Sequence, residues 1–482
     1  FRQGEYLQRS LTHMALLLQH RDDAAVEDLA RTCVALRNLH PQPADISVEV
    51  QAGLLLLAEA LLLRELSELS PSQAIGVLLS LVRWELVNSE HHQGNAAADL
   101  CWSLARELKG KLRNAGRENP EDLALLAMAL SSGKIDHEEL WQELITNLEM
   151  EMHRMSGSAA SQAAYAASKN GHRGIKLYQN AGRLLGEEAS KLSAMDCAYA
   201  AGAFLRGPGS LAEQVVLRGA VGAQIHELGL PSFDAEALAM MLDALSRAAP
   251  STWGVETLAS AVLQEVHGRA DELSFDELAL VVRSLGYLQP QTLQVLQDVL
   301  DHALRAAKDQ GSSARSFAML CQGIAMQPPS LLLDASERLE ALLPEVEKAL
   351  QEKPTAESAA QILWSLSRCT SSSREGVFAV CDEVLSARAA ELPASLLIRL
   401  AEALAAVSRT GLNPSQALIK KVSYLLDMKR YDLPSGKLWR AARAFELLRV
   451  PKNISLEDRD QPASAKVPRR QGSQKLEPLE PA

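Results

Sequence analysis

Aromatic residues are scarce. Phe, Trp and Tyr make up 4% of 482 residues, although hydrophobic residues make up 47%. The apolar mass is therefore Ala, Leu and Val, of which Ala and Leu are strong helix formers and Ala lets helices approach closely. That balance favours thin, repeated helix pairs over one thick core. Cysteine is sparse as well: six residues, none in a C-x-x-C pair and none in a short His/Cys cluster. They read as buried free thiols in a reducing compartment. Long apolar runs are missing. The most apolar stretch, Ala52 to Leu63, is interrupted by Glu59 and is too short to span a bilayer. Positive charge is also in deficit. The net charge is -11 and the pI near 5.6, which counts against a dedicated nucleic-acid binder while leaving room for a local basic patch. The first residue is Phe, not Met, which fits a removed organellar presequence or a truncated piece.

What the sequence does hold is self-similarity. A short pattern rich in Leu and Ala recurs at 72–81, 122–130, 196–205, 236–245, 277–285, 316–324, 358–366, 397–404 and 438–445, with a fainter copy at 159–167. Its equivalent apolar positions are Leu205, Leu245, Leu285, Ile324, Leu366, Leu404 and Phe445, at steps of 40, 40, 39, 42, 38 and 41 residues. Each copy is followed by a second, longer amphipathic stretch, as at 255–271, 291–309, 332–352 and 374–391. In these, apolar residues recur three and four apart, as in Leu293, Leu296, Leu300 and Leu304. Ser274 with Glu277, and Ser70 with Gln73, have the spacing of capping boxes. Pro393 and Pro434 fall where first-turn prolines are tolerated, and Pro344 should kink its helix.

A helix pair of this size cannot bury its stripe alone and must stack on neighbours. The expected fold is all-α: an α-solenoid of roughly ten to eleven helical hairpins with a period of about 38–42 residues. Residues 1–69 read as degenerate N-terminal repeats, 70–450 as the solenoid and 451–482 as an extended Pro-rich tail.

Helical pairs of this length, with lines such as Gln361-Ile-Leu-Trp-Ser-Leu-Ser-Arg368, resemble the organellar octotricopeptide and heptatricopeptide repeat proteins of algae and alveolates. The resemblance covers about 70–450. It implies residence in an organelle, and either RNA binding or a place in a mitochondrial ribosome. No RAP-like segment and no Pro-Pro-Pro-Glu-Trp-like element is seen, and no functional residue of that group carries over.

Candidate chemistry is thin. His91-His92 is an adjacent loop pair with no acidic or thiol companions, and Gly171-His-Arg-Gly174 reads as a turn between helices rather than a phosphate loop. No nucleophile elbow is present, and no acid, base and nucleophile can be grouped. We therefore expect no enzyme, cofactor or metal. Charge polarity is more informative. Residues 413–452 hold nine basic and three acidic residues, the tail from 453 balances at five and five, and 1–412 carry the remaining -17. The candidate contacts with RNA phosphates or an acidic partner are Lys420, Lys421, Lys429, Arg430, Lys437, Arg440 and Arg443, with Trp439 placed to stack on a base. The alternative is a solvated helix face with Trp439 buried. A smaller basic run spans Arg106 to Arg117. If the longer helices lined the concave face, the groove would be acidic and suited to basic protein segments.

The expected function is that of a non-catalytic scaffold subunit of a large organellar assembly, first the mitochondrial ribosome. Its partners would be other protein subunits, with rRNA at the C-terminal repeat, and its location mitochondrial. The alternatives are an accessory subunit of a respiratory or ATP-synthase complex, and a free organellar RNA-binding regulator.

Overall fold

The computed structural model describes residues 24–448 except 40–47, 84–95, 136, 173, 207–214, 216–218, 249–253, 289–292, 311–312, 353, 370–374, 410–411 and 430–434. Among the described residues there are 23 α-helices and no strand, and neighbouring helices pack consecutively as an all-α solenoid. The helices are α1 (Val26–Leu39), α2 (Val48–Leu62), α3 (Pro71–Arg83), α4 (Ala96–Leu108), α5 (Leu112–Glu118) and α6 (Pro120–Ser132). Next come α7 (Glu138–Glu151), α8 (Gly157–Lys169), α9 (Ile175–Glu187), α10 (Ala194–Arg206), α11 (Ala220–Leu228) and α12 (Ala235–Ser246). Then follow α13 (Val255–Gly268), α14 (Phe275–Leu288), α15 (Leu293–Gln310), α16 (Ala314–Ala325), α17 (Pro329–Glu340) and α18 (Leu343–Glu352). The last five are α19 (Ala356–Leu366), α20 (Glu375–Arg388), α21 (Ala394–Arg409), α22 (Gln416–Met428) and α23 (Ser435–Leu447).

Two rows result. Row A is α1, α3, α6, α8, α10, α12, α14, α16, α19, α21 and α23, each packed on the next. The remaining helices form row B, hairpin partners that touch one another more sparingly. Small residues explain the close spacing of row A. In α8, Ala160, Ala163, Ala164, Ala166 and Ala167 are all fully buried. Between α14 and α16 the backbones meet at Gly286 and Gly323. Row A also shares one continuous apolar core with row B.

Local signals form as the sequence implies. Ser70 donates its N–H to Gln73 (3.0 Å), and the Gln73 N–H returns to Ser70 Oγ (3.3 Å). Ser274 N–H reaches Glu277 at 2.7 Å. The first turns of adjacent row A helices are also tied together, by Ser158 to Asp196 (2.7 Å), Ser72 to Asp122 and Ser316 to Asp276. All six cysteines are buried and none is in a disulfide, and burial pushes the Cys33 and Cys197 thiols up to about 12.

Three expectations need correction. Pro344 does more than kink its helix: the 332–352 stretch is broken, with Ala341 and Leu342 between α17 and α18, because proline cannot donate to the carbonyl one turn back. The second helix of a pair is not always the longer. It is so for α15 and α20, but α21 has 16 residues against 13 in α22. The register of α10 also shifts by one. Phe204 is fully buried and Leu205 is not, so Phe204 matches Leu245. Pro434 and His91-His92 lie outside the described residues. No described helix is long and apolar enough to cross a membrane.

Candidate functional site

On the corrected register the row A helices share one face whose described residues are mostly less buried than the rest of the helix, Asp243 being a buried exception. In α3 it is residues 72, 76, 79 and 83; in α12, residues 236, 240, 243 and 247; in α19, residues 357, 361, 364 and 368. These are one stripe at intervals of four, three and four, the spacing of a single helical face.

This stripe lines the concave side. Lys134, just past α6, places its Nζ 2.6 Å from Glu357 Oε2 on α19, six row A steps and 223 residues away. The Arg83 guanidinium at the end of α3 is near enough to act on Tyr199 in α10 and on Glu236 in α12. Row A thus curls round until its exposed faces look at one another across a narrow lumen. Glu236 shows the effect. It is open to solvent, yet the crowded lumen and the carboxylates of Asp234 and Glu277 push its carboxyl pKa up, against the pull of Arg83. Burial, then Glu236, lift Tyr199 to about 12.

The lining is short helices, so the groove is not acidic. Over the described stripe positions there are ten Lys or Arg and seven Asp or Glu, a basic excess inside an acidic protein. The acidic residues favour the first turns and the basic ones the last, in line with the helix dipole. Carboxylates on row B, by contrast, stitch that row together: Asp298 accepts from His267 (2.8 Å) and Asp301 from Arg338 (2.9 Å). The hydrogen bond from His267 holds the Asp298 carboxyl below its ordinary value.

Aromatic rings and cations alternate along the lumen. Tyr165 and Tyr199 lie 5.1 Å apart, with Lys169 Nζ 6.0 Å from the Tyr165 centroid. Further on, Asp243 is shared by Arg283 (2.8 Å) and Arg247 (3.1 Å), and Arg247 lies 5.3 Å over the Tyr287 ring. Burial lowers the Arg283 pKa against the pull of Asp243, and its Nε is buried without a hydrogen-bond partner. Gln322 donates to the Tyr287 hydroxyl (3.2 Å). Trp364 then has two guanidiniums over its ring, Arg368 at 5.3 Å and Arg399 at 5.4 Å. Each contact is a cation–π pair, strengthened where water is excluded.

The eight residues singled out in the sequence divide. Lys421 Nζ donates to the carbonyls of Ser386 and Ala387 (both 2.7 Å) at the end of α20, and Lys429 Nζ to that of Leu392 (2.7 Å) in the turn between α20 and α21. Arg440 makes a two-pronged pair with Glu402 (2.6 and 2.8 Å) on the lumen. Arg443 lies 5.6 Å over Trp439, which is 59% exposed at the C-terminal end of the stack and not buried. Lys420 is exposed. Arg430 and the Lys437 side chain lie outside the described residues. In the smaller run, Lys109 pairs with Glu139 and Lys111 with Glu107 (3.5 Å).

The stripe residues Arg247, Arg283, Tyr287, Trp364, Arg368 and Arg399 were not picked out from the sequence. Their signal was there, as the non-apolar side of the repeat once the copies are aligned, but it needs the curvature to say which row faces inward. Neither a family model nor a curated protein sequence matches the chain.

Proposed function

We propose that this chain is a non-catalytic scaffold subunit of a large organellar assembly, first among them the mitochondrial ribosome, whose lumen grips an extended strand of RNA. The observation that carries the reading is Trp364 grouped with Arg368 and Arg399 on a lumen with more basic than acidic residues. Aromatic faces receive unstacked bases without regard to sequence, and guanidiniums receive phosphates. The lumen also repeats this pairing at Tyr287 with Arg247 and at Tyr165 with Lys169, so a strand following row A meets a cation and a ring at intervals. A non-catalytic role is supported by four of the seven lumen carboxylates. Asp243, Asp276, Glu357 and Glu402 each already accept from a neighbouring side chain.

One observation favours a second reading, an accessory subunit of a respiratory or ATP-synthase complex with protein contacts only. Tyr424, Met428, Trp439 and Leu447 are all exposed on the last two helices, and that composition suits the core of a protein interface. The same end would dock ribosomal proteins under the first reading.

Sedimentation of the native protein from organelle extract, with and without RNase, separates the two. Co-sedimentation with ribosomal subunits, lost after RNase, supports the ribosomal scaffold. A large complex that survives RNase and contains membrane proteins replaces it with the respiratory one. Binding to RNA outside any large particle selects the free regulator.

A further inference from the structure

The charges that row A offers the lumen favour acidic starts and basic ends, as in α12 with Glu236 and Arg247 and α19 with Glu357 and Arg368, and cations of early repeats reach such acidic starts in later ones. Lys134, two residues past the end of α6, meets Glu357 in the first turn of α19. Arg83 ends α3 and acts on Glu236 in the first turn of α12.

Lys134 is also the one non-glycine residue with positive φ among the described residues, at 51°. L-residues resist that region, and glycine takes it freely. The turn itself is an ordinary helix stop: Gly133 N–H bonds Ala129 O (2.9 Å) and Ile135 N–H bonds Leu130 O (2.9 Å). A glycine stands next door, yet the left-handed position is held by a lysine whose ammonium ends on Glu357. Such outliers persist where they position a functional group.

We propose that the solenoid clasps its own groove shut: carboxylates at the start of late repeats hold the basic ends of early ones, and an entering polyanion displaces them. This rests on the polyanion-binding reading above. Glu357 and Glu236 stand where phosphates would stand, so the free protein is narrow and the loaded one is wider. The clasp is weak enough to open. Lys134 and Glu357 are 44% and 42% exposed, and exposed pairs shift an equilibrium by roughly two- to fivefold and are screened by salt.

The test uses the full chain. Small-angle scattering at about 50 mM and about 500 mM NaCl reads its radius of gyration, and circular dichroism checks that each variant is folded. Wild type should expand with salt. Glu357→Lys should be expanded already at low salt, and adding Lys134→Glu to it should restore the compact form. Glu357→Gln should bind an oligouridine of about 20 nucleotides roughly two- to fivefold more tightly than wild type. A radius that ignores salt and both variants overturns the clasp. So does oligouridine binding that is unchanged or weakened in Glu357→Gln while wild type binds. A wild type that binds no oligouridine overturns the competition step and the RNA reading together, while the scattering still decides whether the clasp itself exists.

Discussion

A Cβ placed on Gly323 would lie 2.3 Å from the carbonyl oxygen of Val282. The neighbouring row A helices α14 and α16 therefore touch backbone to backbone, and no rotamer change can relieve a clash with a carbonyl. Gly323→Ala should force the two helices apart and cost about 2 kcal/mol or more. Urea unfolding followed by circular dichroism measures this. A midpoint equal to that of wild type would mean that the contact between α14 and α16 is looser than described.

Asp243 ties Arg247 to Arg283 on the lumen, and its side chain is only 5% exposed. Asp243→Asn keeps the shape but leaves two guanidiniums facing each other, one of them buried. Breaking such a pair costs about 3 kcal/mol, so the unfolding midpoint should fall clearly. Asp243→Asn combined with Arg283→Met, which removes the stranded charge, should recover much of the loss. Equal midpoints for the single and double variants would contradict the claim that the cost is the stranded Arg283 charge.

Glu236 gives a pH dependence. Its folded pKa is raised by desolvation in the lumen and by Asp234 and Glu277, while Arg83 pulls it down only in part. Its contribution to stability is therefore full below the ordinary glutamate pKa and is lost as pH rises through the raised value. Glu236→Gln, which stays neutral, should melt above wild type at pH 7. The two should converge well below the ordinary glutamate pKa, below about pH 3.5, where the glutamate is largely protonated in both states. A variant that melts below wild type at pH 7 would mean that the attraction of Arg83 outweighs the crowding.

The all-helical solenoid was legible because the repeat writes its own period: apolar Leu and Ala at fixed offsets, Ser274 and Glu277 closing a helix start, and Ala where helices must approach. The break at Pro344 was readable as a disturbance, but its size depended on whether the two flanking turns could each pack. The lumen was not legible. The sequence marks Trp364, Arg368 and Arg399 as non-apolar, but only the curl that brings Lys134 to Glu357 says that they face inward. The basic C-terminal segment was visible as charge, yet Lys421 and Lys429 are spent on the carbonyls of Ser386, Ala387 and Leu392, contacts 34 to 37 residues away that no local pattern encodes.

Fluorescence anisotropy of a labelled single-stranded RNA, titrated with the chain at several salt concentrations, tests the central claim most directly. The account predicts binding that weakens steeply as salt rises, with a loss of about tenfold in Trp364→Leu and in Arg368→Gln with Arg399→Gln, and little change in Lys420→Gln. Absence of binding at low salt, or binding that ignores the three lumen residues, would contradict it.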